Sequence, residues 1–267
     1  MSTKFLMCTP EYYDIEYVIN PWMDLKNKVD RKKAAAQWEG LIEVLQKHGA
    51  SVEIIRGVPG LPDMTFAGDC GILVDGTFLA SNFKHPERQP EREHYLSWLR
   101  KKNYKIKEIP ADVYFEGLGD VIISGKRVVF GHGPRSHKDA EGWIKKTFPQ
   151  LQVVTELQIR DDRFFHLAMG AGLLDEDTII YYPKAFSTAD TEKIRSRFRH
   201  AIAADDYDVL ENIVCNNIVI GRKVIFHDCS IELRRRLEKL NFEVLTCDVS
   251  EFKKSGASLR CLVLNLN

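Results

Sequence analysis

The sequence carries no surplus of charge: 38 lysines and arginines stand against 38 aspartates and glutamates. A chain that neutralises nucleic-acid phosphates normally shows a basic excess, so no nucleic-acid partner is expected. No apolar run approaches the ~18–20 residues that cross a bilayer, so no membrane span is expected either. The opening "MSTKFLMCTPEYYD" lacks the basic segment and apolar stretch of a secretion signal. There is no Cys-x-x-Cys pair, which speaks against a zinc knuckle, and six cysteines scattered over 267 residues do not resemble a disulfide scaffold. A reducing, cytoplasmic setting is the natural expectation. What is present is a globular composition, 44% hydrophobic and 28% charged, long enough for one domain over residues 1–267 with a substantial core.

One pattern recurs along the chain. Four segments read as a short apolar strand, a tight turn and a second apolar strand. They are "GDCGILVDGTFLASNF" from Gly68, "GDVIISGKRVVFGHGPRS" from Gly119, "HLAMGAGLLDEDTIIYYPKAF" from His166 and "NIVCNNIVIGRKVIFHDCS" from Asn212. The turns "DG", "SGKR", "DED" and "GRK" are hairpin chemistry. The starts recur about every 50 residues, a period that signals repeated modules. Each hairpin is followed by a charged, helix-like stretch: "PEREHYLSWLRKK", "KDAEGWIKKTF", "TADTEKIRSRFRHAI" and "SIELRRRLEKL". Single strands "YKIKEIP", "QVVTELQ" and "FEVLTCDV" come after these helices, and "AAAQWEGLIEVLQKHGA" with "SVEIIRG" supplies the same pair earlier in the chain. The terminal stretches "KFLMCTP" and "LRCLVLNLN" can pair to complete a fifth unit. The expectation is an α/β fold of about five ββαβ units. Arranged around a pseudo-fivefold axis, they would converge their strand ends on a central cavity.

At equivalent places in the repeats sit groups that a core would not want: Asp69 in "FAGDCG", Glu116 and Asp120 in "FEGLGD", His166 in "FFHLAMG" and Cys261 in "SLRCLVL". Burying such a group unpaired costs several kcal/mol. Any one alone could cap a turn or sit on the surface; together they make a chemical set. A thiolate is a strong nucleophile, and a histidine can protonate a leaving group and then activate water. Glu116 could orient that histidine. Asp69 and Glu116 also suit a planar guanidinium, which carboxylates bind through short charge-assisted hydrogen bonds. A bound cation would in turn favour the thiolate. The set points to attack on the electrophilic carbon of a guanidinium. Cys8, Cys215 and Cys247 lie in apolar β-like contexts and read as core. His132 and His137 flank Arg135 in a loop and read as surface or supporting residues. His227, Asp228 and Cys229 end a hairpin, where neighbouring residues point to opposite faces and cannot easily converge.

The pieces "LPDMTFAGDCGIL", "NFKHPERQPE", "FEGLGDVII", "GHGPRS", the histidine of "FHLAMG" and "SEFKKSGASLRCLVLNL" resemble the pentein superfamily of guanidino-modifying enzymes. That group includes dimethylarginine dimethylaminohydrolases, arginine deiminases, arginine dihydrolases and amidinotransferases. The resemblance covers essentially the whole chain and implies a five-bladed α/β propeller of ββαβ units around a pseudo-fivefold axis. It implies that Cys261 is the nucleophile, His166 the general acid and base, and Glu116 the carboxylate that contacts both substrate and His166. It implies that Asp69 binds the guanidinium, that Asp63 adds a further acidic group, and that Arg88 and Arg135 hold a substrate α-carboxylate. "YVINPWM" is similar to the arginine dihydrolase group, where the residue matching Asn20 contacts substrate. Ala168 stands where deiminases and amidinotransferases carry an aspartate two residues after the histidine. Dimethylarginine hydrolases also lack it. Asp69 stands where the dihydrolase group has asparagine. The implied activity is hydrolysis of arginine or an N-substituted arginine through a covalent thiouronium, to a citrulline-like product. Amidino transfer, dihydrolysis to ornithine and a catalytically silent binding protein remain alternatives. No metal or organic cofactor is expected. The expected partner is a small guanidino compound, and a homodimer stays open.

Overall fold

A computed structural model describes residues 3–267. Among them are fifteen strands in five three-stranded sheets. In each sheet the middle strand runs antiparallel to one neighbour and parallel to the other.

The second unit shows how the sequence builds one blade. Gly71–Val74 and Thr77–Ala80 pair across Asp75 and Gly76, whose φ values are 48° and 74°. Two positive φ angles make the hairpin turn whose twist matches that of the flanking strands. Thr77–Ala80 then pairs in parallel with Lys105–Lys107. A parallel pair needs a crossover, and the helix Glu91–Lys101 provides it. The third unit repeats this with Val121–Ser124, Arg127–His132, the helix Ala140–Thr147 and Gln152–Gln158. The fourth uses Ala171–Leu173, Thr178–Tyr181, the helix Thr188–Arg197 and His200–Ala203. The fifth uses Ile218–Ile220, Lys223–Phe226, the helix Ile231–Glu238 and Glu243–Thr246. The first unit is assembled from both ends of the described chain. Lys4–Cys8 lies between Ser51–Ile55, reached through the helix Arg31–Lys47, and Leu264–Asn265. The pairing of "KFLMCTP" with "LRCLVLNLN" therefore forms as expected.

One stretch departs from expectation. "TADTEKIRSRFRHAI" is not helical throughout. Its helix ends at Arg197, and the backbone turns extended at Phe198, which is buried. His200–Ala203 then joins Thr178–Tyr181 as a parallel strand. The arginine-rich run before it hides a four-residue strand that only its tertiary neighbour stabilises.

The crossover helices bury one face against the sheets. Arg31–Lys47 turns Ala34, Trp38, Leu41 and Leu45 inward at spacings of three and four, against Phe5 and Met7. A fully buried leucine such as Leu41 stabilises the fold by about 1.5–3 kcal/mol. The helix starts are capped: Asp30, Ser187 and Ser230 accept from the backbone N–H groups of Lys33, Asp190 and Leu233. Asp75, Gly125, Asp175, Gly221 and Asn265, one from each unit's turn or end strand, line one cavity, so the five units ring a central axis. No helix among the described residues is long and apolar enough to cross a membrane.

Candidate active site

At the other end of the axis, each sheet is entered through a tight turn. Four are short helical turns: Ala67–Cys70, Gly117–Asp120, Leu167–Gly170 and Leu259–Leu262. The fifth is the bend through Asn216 that precedes Ile218–Ile220. Each contributes one polar side chain to the centre: Asp69, Glu116, His166, Cys261 and Asn216, all buried. The carboxylates, the imidazole and the thiol thus lie in turns just ahead of the strands.

His166 Nε2 lies 2.8 Å from Glu116 Oε2, and that same oxygen accepts from Arg135 Nη1 at 2.8 Å. The lysine backbone at Lys84 donates to Glu116 Oε1 at 3.2 Å. Burial alone would raise the Glu116 pKa, but Arg135 and His166 outweigh it and hold the carboxyl well below its ordinary range. Burial pulls the His166 pKa down, and Asp69, Asp120 and Glu116 together bring it above the usual value. His166 Nδ1 faces Asp69 Oδ1 at 4.0 Å. Asp120 fixes this arrangement from behind. Its Oδ1 accepts from the Leu167 backbone N–H at 2.9 Å and its Oδ2 from Ser136 Oγ at 2.6 Å, while Ser136 Oγ accepts from the Glu116 N–H at 3.0 Å. Burial pushes the Asp120 carboxyl up to about 6. Gly119 leaves room for the ring: a Cβ there would stand 2.8 Å from the imidazole.

Cys261 Sγ accepts a hydrogen bond from Asn216 Nδ2 at 3.1 Å, and its backbone N–H donates to Asn216 Oδ1 at 3.3 Å. Burial, with the charge of Asp69, pushes the thiol up to about 12 against the opposing pull of Asn216. Asn216 was not singled out from sequence. The available signal was positional, because it lies just before the fifth unit's hairpin, where the other units carry Asp69, Glu116 and His166.

Cys261 and His166 share a small cavity with Asp63, Asp69, Arg88, Arg135 and Asn20. Asp63 Oδ2 accepts from Tyr17 Oη at 2.9 Å, and Asp69 Oδ2 accepts from Arg88 Nη1 at 2.8 Å. The other oxygen of each carboxylate, Asp63 Oδ1 and Asp69 Oδ1, is buried without a hydrogen-bond donor. Arg88 is bound within the protein. Its Nε and Nη2 grip Glu91 at 3.0 Å each, and Nη2 also reaches the Asp63 carbonyl at 3.3 Å. With Nη1 on Asp69, one of its five N–H groups stays uncommitted. Arg135 bonds Glu116 and the Ile19 carbonyl, leaving three. Of the two, Arg135 has the donors to receive a carboxylate. The Asn20 amide is committed to the surrounding loops: Nδ2 donates to the Ser255 carbonyl at 3.1 Å and Oδ1 accepts from Trp22 N–H at 2.9 Å. The free volume is about 10 Å³, room for roughly one water. Ile19, Asn20 and Met23 from one loop and Ser255, Gly256 and Ala257 from another form part of its wall.

The remaining candidates stay outside this cavity. His132 pairs with Glu156 at 2.6 Å, His137 packs on Tyr114, and His227 Nδ1 accepts from Val249 N–H at 3.1 Å. Cys8, Cys215 and Cys247 are buried in the apolar interior.

Residues 7–267 match the family described as N,N dimethylarginine dimethylhydrolase, eukaryotic. The bifunctional arginine dihydrolase/ornithine cyclodeaminase AgrE of Nostoc is 34% identical over 98% of this chain, which spans only 38% of the length of AgrE. The N(G),N(G)-dimethylarginine dimethylaminohydrolase of Mycobacterium tuberculosis is 33% identical, with all of this chain and 86% of that protein covered. A crystal structure of the N-terminal domain of an ArgZ variant, covalently bonded to a reaction intermediate, superposes with a TM-score of 0.93 at 30% identity, covering 99% of this chain and 98% of that one. The fold is also that of a dimethylarginine dimethylaminohydrolase adduct with S-methyl-L-thiocitrulline, with a TM-score of 0.83 at 18% identity. The chain belongs to the N,N-dimethylarginine dimethylhydrolase family.

Proposed function

We propose that this chain hydrolyses the guanidinium group of arginine or of an N-substituted arginine, with Cys261 as nucleophile. The observation that carries the reading is the pair of donorless oxygens, Asp63 Oδ1 and Asp69 Oδ1, buried in one cavity with the thiol. Two carboxylates with open acceptors select a cationic multiple donor, and a guanidinium is one.

The steps follow from the groups present. The lining loops move aside to admit the cation, the Cys261 thiol gives up its proton to solvent as the cation binds, and the cation and Asn216 Nδ2 stabilise the thiolate. The thiolate adds to the guanidinium carbon. His166, whose protonated form Asp69, Asp120 and Glu116 favour, gives its proton to the departing amine as the C–N bond breaks. A thiouronium remains on Cys261. Water enters, His166 takes its proton, and the hydroxide adds to the same carbon. The C–S bond breaks as the new hydroxyl loses its proton to solvent, the thiolate returns, and a ureido product leaves. Arg135 receives the carboxylate of the amino-acid end, and Asn20 ties the lining loops together.

The similarity to AgrE supports a second reading, in which arginine is carried on to ornithine. A panel assay separates them. Purified protein is incubated with arginine, dimethylarginine and agmatine, with and without glycine as acceptor, and products are identified by mass spectrometry. Citrulline from a carboxylate-bearing guanidine, without an acceptor, is expected. Ornithine from arginine establishes dihydrolysis. Product only with glycine establishes amidino transfer and overturns the hydrolase reading, as does unchanged turnover in Cys261→Ser, where a loss of at least about a thousandfold is expected.

A further inference from the structure

A larger cavity, about 490 Å³, opens at the end of the axis opposite Cys261, among the hairpin turns. Its wall holds Arg260, the neighbour of the nucleophile. Cys261 faces one end of the axis and Arg260 the other. Asn216 and Asn217 divide in the same way: Asn216 bonds the Cys261 sulfur, and Asn217 lines the far cavity.

Arg88 and Arg135 are buried with carboxylate partners, Glu91 and Asp69 for the first and Glu116 for the second. Arg260 has none. Among the described residues no hydrogen bond or ion pair reaches its guanidinium, and its Nε is buried without an acceptor. Burial lowers its pKa to about 10, the mark of a cation short of counter-charge. Arg260 is only partly buried, so its Nη groups, which no described partner holds, are open to the cavity and can take up an anion. In the same wall Asn217 Oδ1 is buried without a donor. One ligand could answer both groups if it accepted from a guanidinium and donated to an amide oxygen. A protonated oxyanion such as hydrogen phosphate does both. Asp75 and Asp175 stand on the rim, already held by Gln150 Nε2 at 2.9 Å and Arg222 Nη1 at 2.7 Å. Their charge weighs against polyanions and favours a small one.

We propose that this rear cavity binds a small protonated oxyanion, with Arg260 as its cation and Asn217 as its hydrogen-bond acceptor. The site is separate from the guanidine pocket and does not depend on its chemistry.

The test titrates the full chain with potassium phosphate against potassium chloride at equal ionic strength. Phosphate is expected to raise Tm in a saturable way beyond chloride. Arg260→Met is expected to remove that rise, and Arg260→Lys to keep a weakened one. Phosphate is also expected to slow phenylglyoxal modification of Arg260 in the unaltered protein, read by peptide mass spectrometry, which needs no variant to fold. Equal behaviour in phosphate and chloride overturns the proposal. So does a phosphate response undiminished in Arg260→Met, which would place the anion on another arginine, such as Arg135.

Discussion

Burial pushes the Cys261 thiol up to about 12, which favours the protonated form at neutral pH. In the proposed reaction, ionisation of the thiol comes with the ligand's positive charge. An alkylating agent that carries an amidinium is expected to label Cys261 far faster at pH 7 than neutral iodoacetamide, and the iodoacetamide rate should keep rising through the alkaline range. Equal rates for the two reagents at pH 7 would sink substrate-assisted ionisation. Asn216 works on the same equilibrium. Removing a hydrogen bond to a charged sulfur costs about 1.5–3 kcal/mol, so Asn216→Ala should lower kcat/KM roughly 10- to 100-fold with little change in fold. An unaltered rate would make the amide a structural spacer only. The chemistry-bearing residues were legible in the sequence because carboxylate, imidazole and thiol are expensive beside apolar strands. Asn216 was not, because asparagine is ordinary in turns and raises no alarm there. The internal partners of Arg88 and Arg135 also escaped, because the roles inferred for those arginines looked outward to a ligand, not inward to Glu91 and Glu116.

Among the elements, the entry turns set the site's precision. A Cβ on Gly68 would stand 2.6 Å from the Arg260 carbonyl oxygen, 3.0 Å from that of Val263 and 3.3 Å from that of Cys261. These are backbone atoms, which cannot swing aside, so the turn carrying Asp69 and the turn carrying Cys261 touch main chain to main chain. Gly68→Ala should lower stability by about 1–3 kcal/mol and depress kcat more than a surface change of equal stability cost. Thermal unfolding and initial rates on the same preparation check this; unchanged Tm would show that the turns are not in contact. The hairpins of the second, third and fifth units were readable from turn residues that need positive φ, since Gly76, Gly125 and Gly221 lie at 74°, 55° and 60°. The strand His200–Ala203 was not readable, because its own residues carry little β signal and continue a charged, helix-like stretch.

The whole molecule is a ring closed by Leu264–Asn265 on Lys4–Cys8, in the register Phe5 with Asn265 and Leu6 with Leu264. Removing residues 264–267 should abolish turnover and open Cys261 to neutral iodoacetamide, even where circular dichroism still reports helices; retained activity would show that the ring does not need its last strand. The repeat was legible at this scale because four hairpin starts keep one period, whereas the site's dimensions were not, since they arise from contacts between turns far apart in the chain.

The last strand has a further consequence, in time rather than in space. During synthesis the carboxylates and the histidine come with the second, third and fourth units, while the turn bearing Cys261 follows them, directly before the strand Leu264–Asn265 that pairs with Lys4–Cys8. That contact spans nearly the full chain, the slowest kind to form. A nascent or incompletely folded copy would thus hold a pocket for cations without its nucleophile in place, and competence would arrive in one step, at closure.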